Sequence, residues 1–564
     1  MVEKKIWLPR ACLAILVLAQ ITVCICFGIA KGGYDIDEML TYGLANGHNK
    51  PFLTSTPEQE DTLFLYREQV AERFAEQEGT AITGDSLRTY FTAQKDQLFD
   101  FGSAYRNQIN DSHPPLYYIL FNALSSLTPN LFSKWTGLSL NIAFGAGSML
   151  LLYALGKKLL GGPYLALLPA AFWGFSAGCI SYTMFLRMYS MFSFFALLLC
   201  YYLSLLLSNK ERKWGIYLGL GIAMLLGALT HHYFIIFAFF LSAFSVLYLL
   251  LRRRFADAGI FSGVMLAGVG LSIAIFPATL SHIFSGYRGE QAFTSFESGF
   301  SGLWEKLSAY CNILSDELFG GYLRYLFGAF FVFAALSFLC IFLAKRLKRQ
   351  DTPPQYGCVS KNLSGIFLAT ILCYFLLVAQ ISPFFSGRYI CCLYPLIALC
   401  GTAFIYWVLS PLIRSKALRC TAIALVFCIL SISSYVTQKV LYIYPEVDKS
   451  VSAQLSSYQE MPTAFVISVP IRITGSLSLS APYLMQRDEF YPFQLPRIES
   501  GETDLDAIFA EEQQILLMIS TYHEARSPEE VAQSILEHTS FSSLQPLFSR
   551  EQMGMHTSTF LLQR

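Results

Sequence analysis

The sequence predicts an all-α polytopic membrane bundle of about 11 to 13 transmembrane helices, judged from apolar segments of roughly spanning length. It also predicts a large first extracytoplasmic loop and a small C-terminal extracytoplasmic α/β domain. Of the 564 residues, 54% are hydrophobic and only 14% are charged, whereas soluble domains are near 25% charged. Acidic residues are concentrated in two blocks. This composition excludes a soluble enzyme and a disordered chain.

The N-terminus predicts an uncleaved first transmembrane helix. Lys4, Lys5 and Arg10 precede an apolar run over residues 11–30, about the 20 residues that a spanning helix needs. The run has no obvious A-x-A cleavage site, which a signal peptide would have. Because the basic residues precede this run, we expect the N-terminus to lie in the cytoplasm. Eleven further apolar segments follow between residues 113 and 436.

The distribution of charge predicts the topology of a multi-pass protein of the cell membrane. Residues 31–112 contain 14 acidic and 7 basic side chains, residues 440–564 contain 16 and 7, and the remainder contains 9 and 26. By the positive-inside rule both acidic blocks lie outside, so the C-terminus is extracytoplasmic. The first helix and the eleven further apolar segments give twelve crossings, which would leave the C-terminus in the cytoplasm. An extracytoplasmic C-terminus therefore requires residues 113–155 to cross the membrane once or three times. The stretch 117–128 would then dip into the membrane, and the exact count stays open.

The chain divides into a membrane module, residues 1–437, with its first outer loop at 31–112, and an extracytoplasmic α/β domain, residues 438–564. In the second domain, strands are expected at 464–469, 514–520 and 557–562, and a helix is expected to begin at Ser527-Pro528. In the loop, the spacing of apolar residues predicts amphipathic helices over 63–78 and 85–101, either interfacial or soluble. Neither acidic block suggests a nucleic-acid partner.

The 14 cysteines point to packing. None lies in either acidic block, and most lie in apolar runs, where a free cysteine behaves as a small hydrophobe. Cys24 with Cys26, and Cys391 with Cys392, have spacings that a metal site could use, but no histidine or carboxylate is near them in sequence.

Three carboxylates, Asp35, Asp37 and Glu38, directly follow the first helix. At the edge of an apolar layer such a cluster is costly unless it is paired or used. Three interpretations fit: a solvated loop start, a catalytic base for a hydroxyl acceptor, and a DxD-type metal site.

Further polar side chains lie at predicted outer ends of helices. Arg187 and Arg388 contradict the positive-inside rule, so each needs a carboxylate or an anionic ligand such as a phosphate. Interfacial snorkelling is the alternative explanation. His231 and His232 stand in similar apolar surroundings. His113 opens a His-Pro-Pro-Leu-Tyr-Tyr sequence, which is explained either by function or by the prolines punctuating the start of a helix.

Together these motifs resemble the GT-C membrane glycosyltransferases. The long loop opening with Asp37-Glu38 and the His-Pro-Pro-Leu-Tyr-Tyr return are similar to the bacterial relatives of the protein O-mannosyltransferases, the family 39-like group that also holds the lipid A aminoarabinose transferase. The downstream landmarks that match are Arg187-Met188-Tyr189, Thr230-His231, and Arg388-Tyr389 with Pro395. The resemblance covers about residues 7–409 and does not extend to the C-terminal domain.

The resemblance implies an inverting hexosyl- or pentosyltransferase. It would move a monosaccharide from a polyprenyl-phosphate donor to a glycan, lipid or protein acceptor on the outer face of the membrane. Asp37 would act as base, with Glu38 supporting it and Asp35 as the alternative base, and the two arginines would bind the donor phosphate. The substrate-binding residues implied are His113, Arg187, Tyr189, His231, His232, Arg388 and Tyr389.

The arrangement of these residues is expected from their places at predicted outer helix ends, since a polyprenyl chain must remain in lipid. Arg187 and Arg388 are expected around one cavity at the outer membrane boundary, with Asp37 across it. No cofactor or metal is expected, since the group does not uniformly need one. Where the group often has Gln-x-Ala or Glu-Ala before Arg-Met-Tyr, this chain has Met184-Phe185-Leu186, which leaves the partner of Arg187 open.

Two rival functions come from other classes. A transporter or lipid flippase would show paired discontinuous helices and internal repeats, and the sequence shows neither. An inactive relative could act as a scaffold or sensor through the C-terminal domain. The sequence identifies neither the sugar nor the acceptor.

The topology is tested with a Ser457→Cys variant in a background without native cysteines. We expect a membrane-impermeant maleimide to label this cysteine in intact cells, because the acidic blocks of −7 and −9 lie outside. Labelling that appears only after lysis would contradict the topology.

Overall fold

The computed structural model describes residues 2–53, 72, 75–209, 211–297, 302–346, 358–444, 454–522, 526–552 and 555–564. The chain forms two compact units, each built from two stretches of sequence. The first, here called the bundle unit, comprises Met1–Ile29 and Gly137–Leu441. The second, here called the sheet unit, comprises Ala30–Thr136 and Tyr442–Arg564.

The bundle unit is helical. Its helices, two of which begin or end in the sheet unit, are α1 Val2–Ala30, α6 Lys134–Leu160, α7 Leu167–Gly174, α8 Ala177–Met184, α9 Tyr189–Ser208, α10 Trp214–Ala228, α11 His232–Leu251, α12 Phe255–Ile275, α13 Ala278–Phe284, α14 Tyr287–Glu297, α15 Leu303–Phe319, α16 Leu323–Arg346, α17 Cys358–Ile381, α18 Tyr394–Leu409 and α19 Lys416–Thr437, with 3₁₀ turns at Gly387–Tyr389 and Cys391–Leu393.

Within the described residues, eight helices are long and apolar enough to cross a membrane, or nine if α15 and α16, bent by 82° at their junction, form one broken span. The predicted polytopic helical bundle is confirmed, but the count is lower than the 11 to 13 expected. One reason is length: α10 has only 15 residues. At 1.5 Å per residue it extends about 23 Å, less than the roughly 30 Å hydrocarbon core.

A second reason for the lower count is that one apolar segment is broken. Residues 164–182, expected to form one span, form two eight-residue helices, α7 and α8. The break comes at Phe175-Ser176, where the Ser176 hydroxyl caps the second helix by accepting from the backbone N–H of Cys179. The second helix, α8, ends at Met184, and the turn that carries Arg187 connects it to α9.

The sheet unit combines the first loop with the C-terminal part of the chain. Its helices are α2 Ile36–Asn46, α3 Gly84–Phe91, α4 Phe101–Asn110, α5 Leu116–Leu127, α20 Ile473–Leu484, α21 Leu495–Glu499, α22 Leu505–Ile508 and α23 Pro528–Glu537, with a 3₁₀ turn at Pro470–Arg472. Its strands are β1 Ile82–Thr83, β2 Thr463–Ile467, β3 Glu489–Gln494, β4 Gln514–Tyr522, β5 Ser543–Gln552 and β6 Met555–Gln563.

The six strands form one sheet in the order β1-β3-β2-β4-β6-β5. The central strands β3, β2 and β4 are parallel, and β1, β6 and β5 are antiparallel to their neighbours. The loop contributes β1, in which Ile82 pairs with Phe490. The first loop is therefore part of the same compact unit as the C-terminal chain, whereas the division drawn from the sequence joins that loop to the membrane module.

The predicted α/β domain is confirmed. Alternate residues of β2 and β4, including Val466 and Leu517, face a buried core that Val531 and Ile535 of α23 complete. Ser527 caps α23 in a capping box with Glu530, and Pro528 occupies the first turn.

Two predictions for the loop have different outcomes. The helix predicted over 85–101 is wrong in its extent, because α3 ends at Phe91 and the next helix begins at Phe101. The helix predicted over 63–78 lies largely outside the described residues.

The stretch 117–128 is mostly α5, which at 12 residues extends about 18 Å and is too short to span.

Candidate active site

The acidic cluster after the first helix forms the N-terminus of α2. The Asp35 carboxylate accepts a 2.9 Å hydrogen bond from the backbone N–H of Asp37, and the Glu38 carboxylate accepts one of 2.7 Å from the backbone N–H of Asp35. This is a capping box, which satisfies backbone donors that the first turn leaves unbonded. It holds Asp37, which is half-buried, in that first turn.

A buried ion pair fixes the same turn. The Lys31 ammonium group lies 2.9 Å from both carboxylate oxygens of Glu38, and both side chains are fully buried. Lys31 also donates to the Tyr442 carbonyl. Burial lowers the pKa of Lys31, and the Glu38 carboxylate opposes that shift. Glu38 therefore has a structural role here, in addition to the supporting catalytic role that the resemblance implies.

Asp35 also binds the C-terminal part of the chain, because its carboxylate accepts a 2.9 Å hydrogen bond from the Tyr444 hydroxyl. Burial, followed by the charges of Asp35 and Glu38, raises the pKa of Tyr444, so this hydroxyl stays protonated. Sequence reasoning missed Lys31 and Tyr444. Lys31 carried a usable signal: it is a cation on the predicted outer side, as are the two arginines that were singled out.

His113 lies in the sheet unit just before α5. Its Nδ1 is 2.8 Å from a carboxylate oxygen of Asp111 and 3.2 Å from the Ser112 hydroxyl, and its side chain is 20% exposed. The Pro114-Pro115 pair then starts the helix at Leu116, with Pro115 at the cap position. The Asp111 contact orients the imidazole ring of His113.

Arg187 lies in the turn between α8 and α9 and is only 3% exposed. Its backbone N–H donates to the Phe185 carbonyl at 2.7 Å. The same carbonyl accepts from Nδ2 of Asn141 on α6 at 2.6 Å. The buried side-chain amide of Asn141 thus holds the turn that carries Arg187.

Arg388 lies in the 3₁₀ turn Gly387–Tyr389 and is half-buried. Its guanidinium carbon is 5.2 Å from the ring centroid of Tyr389 and 5.9 Å from that of Phe384. These contacts are cation–π interactions, which hold the guanidinium against aromatic faces. The carbonyl of Tyr389 accepts a 2.8 Å hydrogen bond from Tyr374 on α17.

A chain of ring contacts links these two arginine-bearing segments. Ring centroids are 5.6 Å apart for Tyr189 and His231, 5.3 Å for His231 and Tyr233, and 5.3 Å for Tyr233 and Tyr389. Tyr182 makes a second link, since its ring is 6.3 Å from that of Tyr189 and its hydroxyl abuts Gly387. Four predicted residues, Tyr189, His231, Arg388 and Tyr389, are therefore brought together with the turn of Arg187 at one end of the bundle unit.

The two neighbouring histidines differ in their surroundings. His231 caps α11: its Nδ1 accepts a 3.0 Å hydrogen bond from the backbone N–H of Tyr233, and its ring stacks on Phe192 at 5.3 Å. Nε2 of His232 is instead 3.4 Å from Nδ1 of His282 on α13. His231 therefore belongs to the aromatic chain, whereas His232 packs against a second histidine.

Among the residues that the structure describes, no group of three or more His, Cys, Asp or Glu side chains is arranged to hold a metal ion. The two acids of the DxD spacing both belong to the start of α2: Asp35 caps the helix, and Asp37 lies in its first turn.

No family model and no curated protein matches this chain. Similar solved structures include ArnT from Cupriavidus metallidurans bound to undecaprenyl phosphate, at 11% identity and a TM-score of 0.44, covering 97% of both chains. The apo structure of the same protein matches at 13% identity and a TM-score of 0.44, covering 98% of both. ArnT is a GT-C aminoarabinose transferase, the group that the motifs resemble.

The ion pair under α2 gives a testable prediction. We expect Lys31→Met to destabilise the sheet unit by about 3–5 kcal/mol, because it leaves the Glu38 carboxylate buried without its cation. Thermal unfolding of the detergent-solubilised protein measures the change. The double variant Lys31→Met/Glu38→Gln, which removes both charges and keeps a side chain that can complete the capping box, should recover much of the loss. Lys95→Met, at an exposed turn position of the same unit, is the control. An equal loss in the single and double variants would contradict this role.

Proposed function

We propose that this chain is an inverting glycosyltransferase of the membrane. It moves a monosaccharide from a polyprenyl-phosphate donor to a glycan, lipid or protein acceptor on the outer face. The observation that carries the proposal is the ring-linked cluster in the bundle unit, which gathers Arg388 and the turn of Arg187 around Tyr182.

Arg388, which lies against aromatic faces, and the nearby turn that carries Arg187 suit a lipid-linked phosphate. A guanidinium keeps its charge at any working pH, presents donors in a planar fork, and is more weakly hydrated than an ammonium group. Within the part of the chain that the structure describes, eight candidate spans supply the apolar helices that a polyprenyl-linked substrate needs around it. In the transfer step the arginines stabilise the phosphate as the sugar leaves, which is electrostatic catalysis.

The base in this proposal is Asp37. A general base takes the proton from the acceptor hydroxyl as that oxygen bonds to the anomeric carbon and the bond from that carbon to the phosphate oxygen breaks. Attack from the face opposite the phosphate inverts the anomeric configuration. Asp37 suits this role because the capping box of Asp35 and Glu38 holds it in the first turn of α2. His113 would assist substrate binding. We also propose a cytoplasmic N-terminus and an extracytoplasmic sheet unit, from the charge bias.

A second candidate function is a flippase or transporter of the same lipid-linked sugar. The observation that favours it is the presence of broken helices, at α7–α8 and at the 82° junction of α15 and α16. Discontinuous helices are frequent in transporters, and their absence from the sequence pattern was an argument against this function.

The experiment is a transfer assay with purified protein, radiolabelled polyprenyl-phosphate sugars and membranes carrying native acceptors. We expect label in the acceptor fraction with one donor of the panel. Asp37→Asn should lower turnover by about 10²–10⁴ while donor binding is kept, since the variant loses only proton acceptance. Arg388→Ala should weaken donor binding first.

Asp35→Asn is the matched control, because asparagine also caps helices and the substitution is the same in size. Near-normal turnover of Asp37→Asn with loss in Asp35→Asn would move the base to Asp35. Movement of labelled lipid across vesicles without label in any acceptor would instead support the flippase.

A further inference from the structure

Helix α15 holds the segment that carries Arg388. Nζ of Lys306 donates to the Gln380 carbonyl at 2.9 Å. The Tyr310 hydroxyl lies 2.6 Å from Oγ of Ser382 and 2.9 Å from the Phe384 carbonyl oxygen. These side chains lie four residues apart on one face of the helix. They therefore fix the chain just before the turn of Arg388.

Glu317 lies seven residues after Tyr310, on the same face of α15. It is 2% exposed. Its carboxylate accepts hydrogen bonds from the Tyr182 hydroxyl, 2.9 Å from each oxygen, and from the Tyr394 hydroxyl at 2.6 Å. These tyrosines lie on α8 and at the start of α18, so one carboxylate ties three helices together.

The backbone of Gly387 fits against this carboxylate. A Cβ atom added at Gly387 would lie 2.5 and 2.6 Å from the two Glu317 oxygens and would overlap the Tyr182 hydroxyl. A side chain at residue 387 would therefore push the 3₁₀ turn away from Glu317. The position of Arg388, the next residue, is thus set by the carboxylate and its two tyrosines.

Packing three helices around a carboxylate costs free energy, because the charge is withdrawn from water. An apolar side chain of similar volume often packs a buried site at least as well. Two hydroxyl donors offset part of the cost and give the contact a defined geometry. An ionisable group inside a membrane protein is by default a functional residue, and here it touches the turn of a proposed phosphate ligand.

We propose that Glu317 is a positioning residue for Arg388. The Glu317 carboxylate orients Tyr182 and Tyr394, and the backbone of Gly387 packs against this carboxylate and the Tyr182 hydroxyl. These contacts hold the guanidinium group of Arg388 at the cluster that includes Tyr189. This inference rests on the proposed function, because it assigns Arg388 a phosphate to bind.

The test measures binding of undecaprenyl phosphate to the full-length protein in detergent. Glu317→Gln should raise the Kd about tenfold, which corresponds to 1.4 kcal/mol, because its amide NH₂ cannot accept from a tyrosine hydroxyl. Tyr394→Phe, a smaller change that removes one hydrogen bond, should act in the same direction and serves if Glu317→Gln does not fold. Glu305→Gln, at an exposed position of the same helix, is the matched control and should leave the Kd unchanged.

A double-mutant cycle separates positioning from a merely structural role. In an Arg388→Ala background, Glu317→Gln or Tyr394→Phe should weaken binding little further, because the effect passes through Arg388. Additive losses would overturn the inference while leaving the proposed function standing. If the unmodified protein does not bind undecaprenyl phosphate at all, the proposed donor class fails, and this inference fails with it.

Discussion

A charge withdrawn from water must be given a partner, and both units of this protein are organised by that requirement. In the sheet unit the Lys31 ammonium group and the Glu38 carboxylate are fully buried against each other. Removing either would leave an uncompensated charge, which is far more costly than the pair itself. The pair fixes Lys31 to the start of α2, and the Glu38 carboxylate also completes the capping box of that helix.

In the bundle unit the same requirement is met in two other ways. Asp257, near the start of α12, is bound by Arg254, Arg212 and the Tyr217 hydroxyl at 2.8–3.0 Å. There two arginines neutralise one acid. Glu317 instead receives two tyrosine hydroxyls. An arginine would neutralise the carboxylate strongly, whereas hydroxyls solvate it and leave its geometry to be set by the tyrosines and by Gly387.

The sequence predicted the elements of this fold better than their partners. Periodicity and capping residues are local, so the strands around 464–469, 514–520 and 557–562 and the start of α23 were predicted correctly. Fewer helices are of spanning length than expected where tertiary structure breaks an apolar run, as between α7 and α8. Arg187 and Arg388 were found because cations at outer helix ends contradict the charge bias, and the tyrosines that follow them were found through the motif resemblance. The structure brings Tyr189, His231, Arg388 and Tyr389 together.

What the sequence could not supply depends on contacts between distant residues. The partners of Lys31 and Asp35 include Tyr442 and Tyr444, about four hundred positions away, and no local pattern encodes that pairing. Glu317 was missed for a different reason. The charged residues Glu305, Lys306, Asp316 and Glu317 lower the hydropathy of α15, so that a helix packed against the Arg388 segment has the composition of an outer loop.

The same accounting explains why three carboxylates occur within four positions after the first helix. Asp35 is needed as the cap, and Glu38 is needed twice, as the second half of the capping box and as the partner of Lys31. Asp37 stands in the same first turn and is half-buried. Attraction to the helix dipole stabilises a first-turn carboxylate by about 0.3–1 kcal/mol, and partial burial of that carboxylate opposes the stabilisation. One helix start therefore draws on all three carboxylates: Asp35 as the cap, Asp37 as a first-turn charge next to the dipole, and Glu38 as both a capping group and an ion-pair partner.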